Sequence, residues 1–169
     1  MGSVPDAGNA AKTLKMSLEI ALYQPDIAPN AAAIARMCAC FGLRLTIIEP
    51  AGFILSDSAF KRAGMDYLEK AVIQHSPGWE AFQASAVGRR IVLLTTKASQ
   101  PHLSFAFRND DILLFGRESA GVPTEMHEAL PHRIRIPMKP GLRSLNVAMS
   151  ASLVTGEAMR QTGQFAALV

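Results

Sequence analysis

The 169-residue sequence predicts one α/β domain with a mostly parallel sheet and helices on both faces. Short aliphatic segments alternate with helix-compatible segments about six times, and neither a repeat nor a low-complexity linker interrupts them. Hydrophobic residues make up 49% of the chain and charged residues only 18%, which excludes an intrinsically disordered protein. A chain of this length buries a single sizeable core.

The strands are predicted from short segments rich in aliphatic and β-branched residues, each followed by turn residues. They cover residues 18–23, 43–48, 71–75, 90–95, 112–115 and 133–136. Parallel sheets bind their ligands in the loops outside the carboxyl ends of the strands. We therefore expect the functional residues in the loops that follow positions 23, 95, 115 and 136.

The first predicted helix is rich in alanine and follows a proline-containing loop. Asn30 is its expected N-cap and Gly42 its expected stop. Its buried stripe, at helical spacing, consists of Ile34, Met37, Cys38 and Phe41. Arg36 points away from this stripe, on a flank shared with the small residues Ala32 and Ala39. Small neighbours leave the guanidinium open to an approaching phosphate or ribose.

Three further helices are predicted between and after the later strands. Two short helices are expected at 58–63 and 77–85, and a long helix is expected from about Ser144 to Gln161. Gly156 lies inside the long helix, where glycine costs roughly 1 kcal/mol relative to alanine. We therefore expect crowding at Gly156, by backbone or by another subunit.

The N-terminal residues and the cysteines indicate the compartment. Residues 1–16 lack the basic and apolar regions of a signal peptide, so we assign them to a flexible extension and the domain to 17–169. No apolar stretch approaches the roughly 18 residues that cross a bilayer. Cys38 and Cys40 have no further cysteine to pair with, and the histidines are scattered. We expect a cytoplasmic protein with buried thiols, without a metal and without membrane association.

Charge and hydropathy indicate which partners the chain could have. The formal net charge is +3 and the pI is near 9.1, which permits a polyanionic partner without requiring one. Mean hydropathy is +0.17, and the last helix carries the small residues Ala148, Ala151 and Ser152. These features predict a homodimer whose partner covers apolar surface, and a compact monomer is the alternative.

The common nucleotide-binding and hydrolase motifs are missing. No G-x-G-x-x-G follows the first strand, and the glycine loop at 116–121 lacks the lysine and hydroxyl of a phosphate loop. There is no G-x-S-x-G elbow for a serine hydrolase. Classical dinucleotide-binding proteins, P-loop enzymes and serine hydrolases are therefore disfavoured.

Three other segments combine polar residues with glycine or proline in the expected loops. The first is N-x-x-x-x-x-R at 30–36 and the second is L-L-F-G-x-E-x-x-G-x-P at 113–123. The third is I-R-I-P-M…S-L-N at 134–146. Each segment alone is weak evidence, because its polar residues also have plain structural interpretations. Arg36 fits a solvated arginine, Glu118 a surface charge, and Ser144 and Asn146 fit helix caps.

Taken in order and at these separations, the three segments resemble the motifs of the SPOUT (knotted) RNA methyltransferases. The short chain and its opening A-L-Y-Q-P-D-I-A-P-N are most similar to the TrmL/YibK-like group, which methylates the ribose 2'-oxygen of the wobble nucleotide of tRNA. The resemblance runs from about Leu18 to Gly163, nearly the whole chain.

The resemblance implies a fold and a cofactor. The family fold is an α/β sheet whose C-terminal part forms a deep trefoil knot, which no sequence periodicity indicates. Its cofactor, S-adenosyl-L-methionine, is held largely by backbone groups of the knot loops. Carried over by motif, these positions are Leu94, Thr95, Gly116, Ile136, Ser144 and Leu145.

The resemblance also implies residue roles without a metal. The catalytic set is Arg36, Glu118, Ser144 and Asn146, while Asn30 and Arg143 support the RNA-binding loops. Arg36 would reach the ribose or its phosphate from the second protomer of a homodimer. An arginine keeps its proton in proteins, so it orients and stabilises rather than acting as a base.

The implied substrate is the wobble cytidine or modified uridine in the anticodon stem-loop of tRNA, with leucine tRNAs as the expected species. Three alternatives remain: the same chemistry on another tRNA or rRNA ribose, a non-catalytic RNA-binding relative, and a nucleotide-binding α/β protein outside the family.

Two positions depart from the family pattern. The first motif of the family reads N-x-G-x-x-x-R, and Ala32 replaces that glycine here. A methyl group at this position would affect substrate recognition if RNA approached the backbone there. Gly156 stands where relatives usually have a larger, often aromatic residue.

Overall fold

The computed structural model describes residues 17–54, 58, 62 and 65–168. Within them, seven parallel strands form one sheet in the order β3-β2-β1-β6-β4-β7-β5. The strands are β1 (Glu19–Tyr23), β2 (Arg44–Ile48), β3 (Val72–Ser76), β4 (Ile91–Leu94), β5 (Gln100–Pro101), β6 (Ile112–Phe115) and β7 (His132–Arg135). The predicted α/β class with a parallel sheet is confirmed.

Helices cover both faces of the sheet. The α-helices of the described segments are α1 (Ala28–Phe41), α2 (Trp79–Ser85), α3 (Thr124–Ala129) and α4 (Val147–Thr162). Short 3-10 helices span Met65–Glu69, His102–Ser104 and Gln164–Leu168. Helices α1 and α4 share one core cluster with Ile20, whereas α2 and α3 share the other cluster with Ala21. Successive residues of a strand face opposite sides, so β1 supplies both cores.

The amino ends of the central strands are closed by buried ion pairs. Glu19 at the start of β1 pairs with Arg89 and lies 3.8 Å from Arg44. Asp111, just before β6, accepts a 2.7 Å hydrogen bond from Arg90. The two acidic side chains at this edge are paired with arginines, whereas the carboxyl ends of the strands lead into the loops singled out by the sequence.

Helix α1 begins earlier than predicted. Its N-cap is Ile27, which makes no side-chain capping bond, and Pro29 lies in the first turn. Proline suits that turn because its missing N–H has no intrahelical partner there. The prediction of Asn30 as the N-cap is therefore wrong, and its side chain serves another purpose, described below. The stop at Gly42 is confirmed, with φ at +65°.

Other boundaries differ by a few residues. Helix α4 is capped by Asn146 and begins at Val147, so the predicted start at Ser144 is wrong. Helix α2 starts at Trp79 rather than at residue 77. Of the helix predicted at 58–63, only Ser58 and Arg62 are described, and both are helical. Strand β5 and helix α3 were not delimited from the sequence.

The expected crowding at Gly156 is not found in the described part of the chain. There, a Cβ built on Gly156 has no atom within 4 Å, so no described neighbour requires glycine at this position. The trefoil knot stays a prediction from the resemblance. The N-terminal extension lies outside the described residues.

Candidate active site

The carboxyl ends of β1, β4, β6 and β7 open into one cleft of about 570 Å³. These four strands are adjacent in the sheet, so their following loops meet at one edge. The cleft has the size of a typical small-molecule site, which occupies about 300–1,000 Å³. All four loops that the sequence singled out contribute to it.

Most of the predicted site residues line this cleft. The expected cofactor positions are all present: Leu94, Thr95, Gly116, Ile136, Ser144 and Leu145. The other predicted residues at the cleft are Asn30, Glu118, Arg143 and Asn146. Arg36 is the exception and does not line it. The structure thus brings the second and third motifs together with the start of the first.

A series of hydrogen bonds joins the three motifs. Asn146 donates from Nδ2 to Oδ1 of Asn30 at 3.0 Å, and Asn30 donates from Nδ2 to Oε1 of Glu118 at 3.3 Å. Asn146 Oδ1 also accepts from the backbone N–H groups of Ala148 and Met149, which caps α4. The cap interpretation of Asn146 is confirmed, and the same side chain also fixes the loop after β1.

Glu118 is occupied on both carboxylate oxygens. Its Oε2 accepts a 2.8 Å hydrogen bond from the backbone N–H of Asp26, while Oε1 accepts from Asn30. Both donors belong to the segment that follows β1. Glu118 therefore ties the loop after β6 to the loop after β1, and the interpretation as an unengaged surface charge is wrong.

Asp26 forms a second connection that sequence reasoning missed. Its Oδ1 accepts from Arg117 at 2.6 Å, and its Oδ2 accepts from the hydroxyl of Ser119 at 2.6 Å and from the Ser119 N–H at 3.1 Å. The hydrogen bond from Arg117, followed by that from the Ser119 side chain, lowers the pKa of Asp26 to about 2. An acidic residue in one cleft loop and an arginine in the facing loop were the available signal.

Gly116 lies against another part of the protein's own backbone in the cleft wall. A Cβ at Gly116 would lie 2.6 Å from the carbonyl carbon of Gly121, so the close approach is made by the protein's own loop. Arg117 and Gly121 exchange backbone hydrogen bonds of 2.9 and 2.8 Å. Gly121 has φ at +68°, a conformation that glycine adopts readily. Gly116 therefore shapes the cleft wall by letting this turn close.

The buried and exposed positions on α1 correct three expectations. Ala32 is 0% exposed and packs in the core, so its methyl group faces neither the cleft nor solvent. The expectation that Ala32 shares an exposed flank with Arg36 is therefore wrong, although Arg36 itself is exposed. Cys38 is buried, and burial raises the pKa of its thiol to about 12. Cys40 is exposed, so the expectation of two buried thiols is wrong for this residue.

The cleft is lined by both polar and apolar residues. Ser144 and Arg143 are exposed at the rim. Leu93 and Phe115 supply apolar surface, and His127 also lines the cleft. Among the described residues, the Nε2 atom of His127 is buried without a hydrogen-bond partner. A heteroaromatic ligand with polar edges, such as the adenosyl group of S-adenosyl-L-methionine, suits this lining.

Comparison with known proteins agrees with this arrangement. The sequence pattern described as the SpoU rRNA Methylase family matches residues 17–156. The chain belongs to this family. The SpoU match spans all three motifs and every residue that lines the cleft.

Individual SpoU relatives match over nearly their whole length. A tRNA (cytidine(34)-2'-O)-methyltransferase of Ancylobacter novellus is 54% identical over 153 residues, covering 89% of this chain and 97% of the relative. The protein of that name from Escherichia coli K12 is 42% identical over 148 residues, covering 86% and 94%.

Solved structures show the same fold. A structure concerned with the 2-OH methylation of C/U34 on tRNA matches with a TM-score of 0.83 at 36% identity, covering 87% of this chain and 97% of that one. An AdoMet-bound rRNA methyltransferase of Sinorhizobium meliloti matches with a TM-score of 0.78 at 23% identity, covering 86% and 57%. Because its sequence identity is low, the second structure shows a similarity of fold alone.

Arg36, the remaining polar residue of the first SpoU-like motif, lies away from the cleft of its own chain. It follows Asn30 by six positions on α1, which places it about 9 Å further along the helix and about 120° around it. Its guanidinium carbon lies 4.5 Å from the centroid of the Tyr67 ring. The side chain is exposed but in contact with an aromatic face.

Two further observations concern metals and membranes. In the described part of the chain, no group of three His, Cys, Asp or Glu residues is arranged to hold a metal ion. None of the helices described is long and apolar enough to span a membrane. The absence of a metal from the reaction stays a prediction.

Proposed function

We propose that this protein transfers a methyl group from S-adenosyl-L-methionine to the ribose 2'-oxygen of the wobble pyrimidine nucleotide of tRNA. The observation that carries the proposal is the joining of Asn30, Glu118 and Asn146 at the cleft, because it makes one site of three separate motifs. The family description refers to rRNA, but relatives matched over nearly their whole length are named for cytidine 34 of tRNA. Their names favour tRNA as the substrate.

The cleft loops would hold the cofactor. When bound, S-adenosyl-L-methionine supplies an electrophilic methyl group on a sulfonium. Backbone groups near Leu94, Gly116 and Leu145 line the space available to it, and the Arg117–Gly121 turn keeps the wall in shape. Leu93 and Phe115 add apolar side chains to the lining of the cleft.

The rim residues would orient the ribose. Methyl transfer needs the 2'-oxygen held in line with the methyl group, so positioning contributes much of the rate. Ser144 and Arg143 are exposed at the rim and offer a hydroxyl and a guanidinium to ribose and phosphate. Glu118 and Asn146 act as positioning residues, because their hydrogen bonds are already used to fix the loops.

Arg36 would stabilise charge rather than accept a proton. A guanidinium stays protonated in proteins and donates to two oxygens at once. In contact with the ribose and the adjacent phosphate it favours the developing negative charge on the 2'-oxygen. The proton leaves to water or to a phosphate oxygen.

This role requires a second protomer. Arg36 does not line the cleft of its own chain, and its position on α1 directs it elsewhere. Helix α1 packs against α4 in the same core cluster, so a protomer seated on α4 would lie beside α1. A homodimer of this kind would bring Arg36 to the partner's cleft.

The surface of α4 supports that dimer. Met149 and Leu153 are 60% and 50% exposed, and Gly156 continues the same side of the helix at i+3 from Leu153. Large exposed apolar residues in one stripe are typical of an interface. Gly156 has open space above it, which admits the backbone of a partner helix.

The proposal also specifies the part of the tRNA that is bound, the tRNA species and the cellular compartment. The wobble nucleotide lies in the anticodon loop, so the anticodon stem-loop is the expected RNA surface and leucine tRNAs are the expected species. A net charge of +3 is compatible with such a polyanion. The protein would act in the reducing cytoplasm, where tRNA is modified and the exposed thiol of Cys40 stays reduced.

The deciding experiment is to incubate the protein with methyl-labelled cofactor and either bulk tRNA or rRNA, and then to map the labelled nucleotide. We expect label on the ribose of nucleotide 34 of tRNA. A tRNA carrying 2'-deoxyribose at that nucleotide is the matched control and should accept no label. Label on rRNA alone, or no label despite cofactor binding, would contradict the proposal.

A further inference from the structure

The contact between Arg36 and Tyr67 connects α1 to a separate segment of the chain. Tyr67 belongs to the 3-10 helix Met65–Glu69, and its ring lies under the Arg36 guanidinium at 4.5 Å. A guanidinium over an aromatic face is held by electrostatic attraction and by stacking of two planar groups. The direction of this exposed arginine is therefore restrained by the protein itself.

Tyr67 is a fixed platform rather than a loose side chain. Its carbonyl oxygen accepts hydrogen bonds from the N–H groups of Lys70 at 3.0 Å and Ala71 at 2.9 Å, which close the turn into β3. Leu68 and Ala71 pack against the core cluster that contains α1. The Tyr67 side chain is partly buried, so its ring has little freedom to follow a moving arginine.

We propose that Tyr67 is a positioning residue for methyl transfer, acting by holding the Arg36 guanidinium in the orientation that meets the RNA. The inference rests on the proposed role of Arg36 in the partner's cleft. An exposed arginine samples many rotamers, and a planar two-point contact with ribose and phosphate needs one of them. Stacking on a fixed ring selects among these rotamers before the RNA arrives, which favours the reactive geometry.

The test compares two substitutions that separate the ring from the hydroxyl. Y67F keeps the aromatic face, whereas Y67L keeps apolar bulk without it. At saturating tRNA, we expect Y67F to methylate at nearly the wild-type rate and Y67L to lose on the order of tenfold in single-turnover rate. Cofactor affinity should stay unchanged in both variants, since Tyr67 does not line the cleft.

A double-mutant cycle distinguishes positioning from a general structural effect. In the R36A background, Y67L should cause no further loss, because the arginine that the ring would position is gone. The control F105L removes the ring under Arg90, 4.7 Å from its guanidinium carbon, and should lower stability without this coupling to R36A. If Y67L fails to fold, Y67W provides a second test. It keeps an aromatic face, so Y67W should retain activity.

The experiments distinguish the ways in which the inference about Tyr67 can fail. If Y67L is fully active while R36A is not, the inference about Tyr67 is overturned and the role of Arg36 stands. If Y67L loses the same factor in both backgrounds, Tyr67 is structural only and the inference is again overturned. If R36A methylates tRNA normally, the proposed role of Arg36 fails and the inference fails with it.

Discussion

Asn146 donates a 3.0 Å hydrogen bond to Asn30, across 116 positions of the sequence. The bond joins the N-cap of α4 to the first turn of α1, and Asn30 passes the connection on to Glu118. The Asn30 amide accepts from Asn146 and donates to Glu118, so the series runs in one direction, from Asn146 through Asn30 to the carboxylate. The order of the three groups decides which substitutions the site tolerates.

Asn146→Asp should separate the capping role from the site role. Aspartate caps a helix about as well as asparagine, so stability should change by less than about 0.5 kcal/mol. It cannot donate to Asn30, whose amide would then face carboxylates on both sides and could serve only one of them. We expect methyl transfer to fall while the urea midpoint stays near wild type. Asn146→Ala, the comparison, should also lose about 1 kcal/mol from the missing cap.

Asp26→Asn should loosen the cleft wall by weakening the bonds to Arg117 and Ser119. Charge-assisted hydrogen bonds are roughly twice as strong as neutral ones, so we expect cofactor affinity to fall on the order of tenfold. The pKa of Asp26 is held at about 2, below its ordinary value. Its stabilisation is therefore fully present above about pH 4 and is lost as the pH falls towards 2.

Urea unfolding measured between pH 7 and pH 2 tests the predicted loss of stabilisation by Asp26 at acid pH. The difference in unfolding free energy between wild type and Asp26→Asn should shrink as Asp26 becomes protonated. Glu157→Gln is the matched control, since hydrogen bonds from Arg160 and then Gln161 also lower the pKa of Glu157 to about 2. This control should show the same acid behaviour without a change in cofactor affinity. Equal losses of cofactor affinity in both variants would contradict the role of Asp26 in holding the cleft wall.

Gly116→Ala should open the turn between Arg117 and Gly121. The added methyl group would lie 2.6 Å from a backbone atom of Gly121, which cannot rotate away as a side chain would. Overpacking of this kind costs typically about 1–3 kcal/mol. We expect weaker cofactor binding by calorimetry. Gly78→Ala is the control: its Cβ meets only ordinary contact and its backbone is extended, so binding should be unchanged.

Leu153→Glu should report on the proposed dimer. In an isolated chain this exposed position tolerates charge within about 0.5 kcal/mol, but an apolar interface does not. We expect wild type to sediment at twice 18.2 kDa and the variant at 18.2 kDa. Val87→Glu, at an 83% exposed residue just after α2 on the other face, should remain dimeric. A dimeric Leu153→Glu would exclude the α4 stripe as the interface.

Arg36→Ala should slow methyl transfer strongly, to a low but measurable rate, without affecting the fold. Losing an electrostatic stabiliser of this kind costs about a hundredfold or more in rate. Arg36→Lys should recover little, since an ammonium cannot make a planar two-donor contact. Arg108→Ala, at an exposed residue before β6 and so at the opposite edge of the sheet, is the control and should be fully active.

Mixing two inactive variants tests whether Arg36 acts across the dimer. If Arg36→Ala is reassorted with Asn146→Asp, half of the dimers are mixed and each has one intact composite site. Activity should then recover to about a quarter of wild type. No recovery in verified mixed dimers would mean that Arg36 acts within its own chain or does not act at all.

Much of the sheet was predictable because buried parallel strands are short and aliphatic. Strand β6 was predicted with its observed bounds, and β2 and β4 within one residue at each end. The two-residue β5 has no periodicity to detect. The N-cap at Asn30 was mispredicted because its capping chemistry was plausible, while Pro29 allowed the helix to start earlier.

By itself, the sequence determined the α/β class, the cleft loops and the three motifs that resemble the family. Only the tertiary structure decided how the polar groups pair: Glu118 with Asn30, Asp26 with Arg117, and Arg36 with Tyr67. The first two pairs span 88 and 91 positions. Periodicity reports which face a residue occupies, whereas a hydrogen bond needs a distance and a direction between two side chains. Those are set when parallel strands bring their carboxyl ends to one edge.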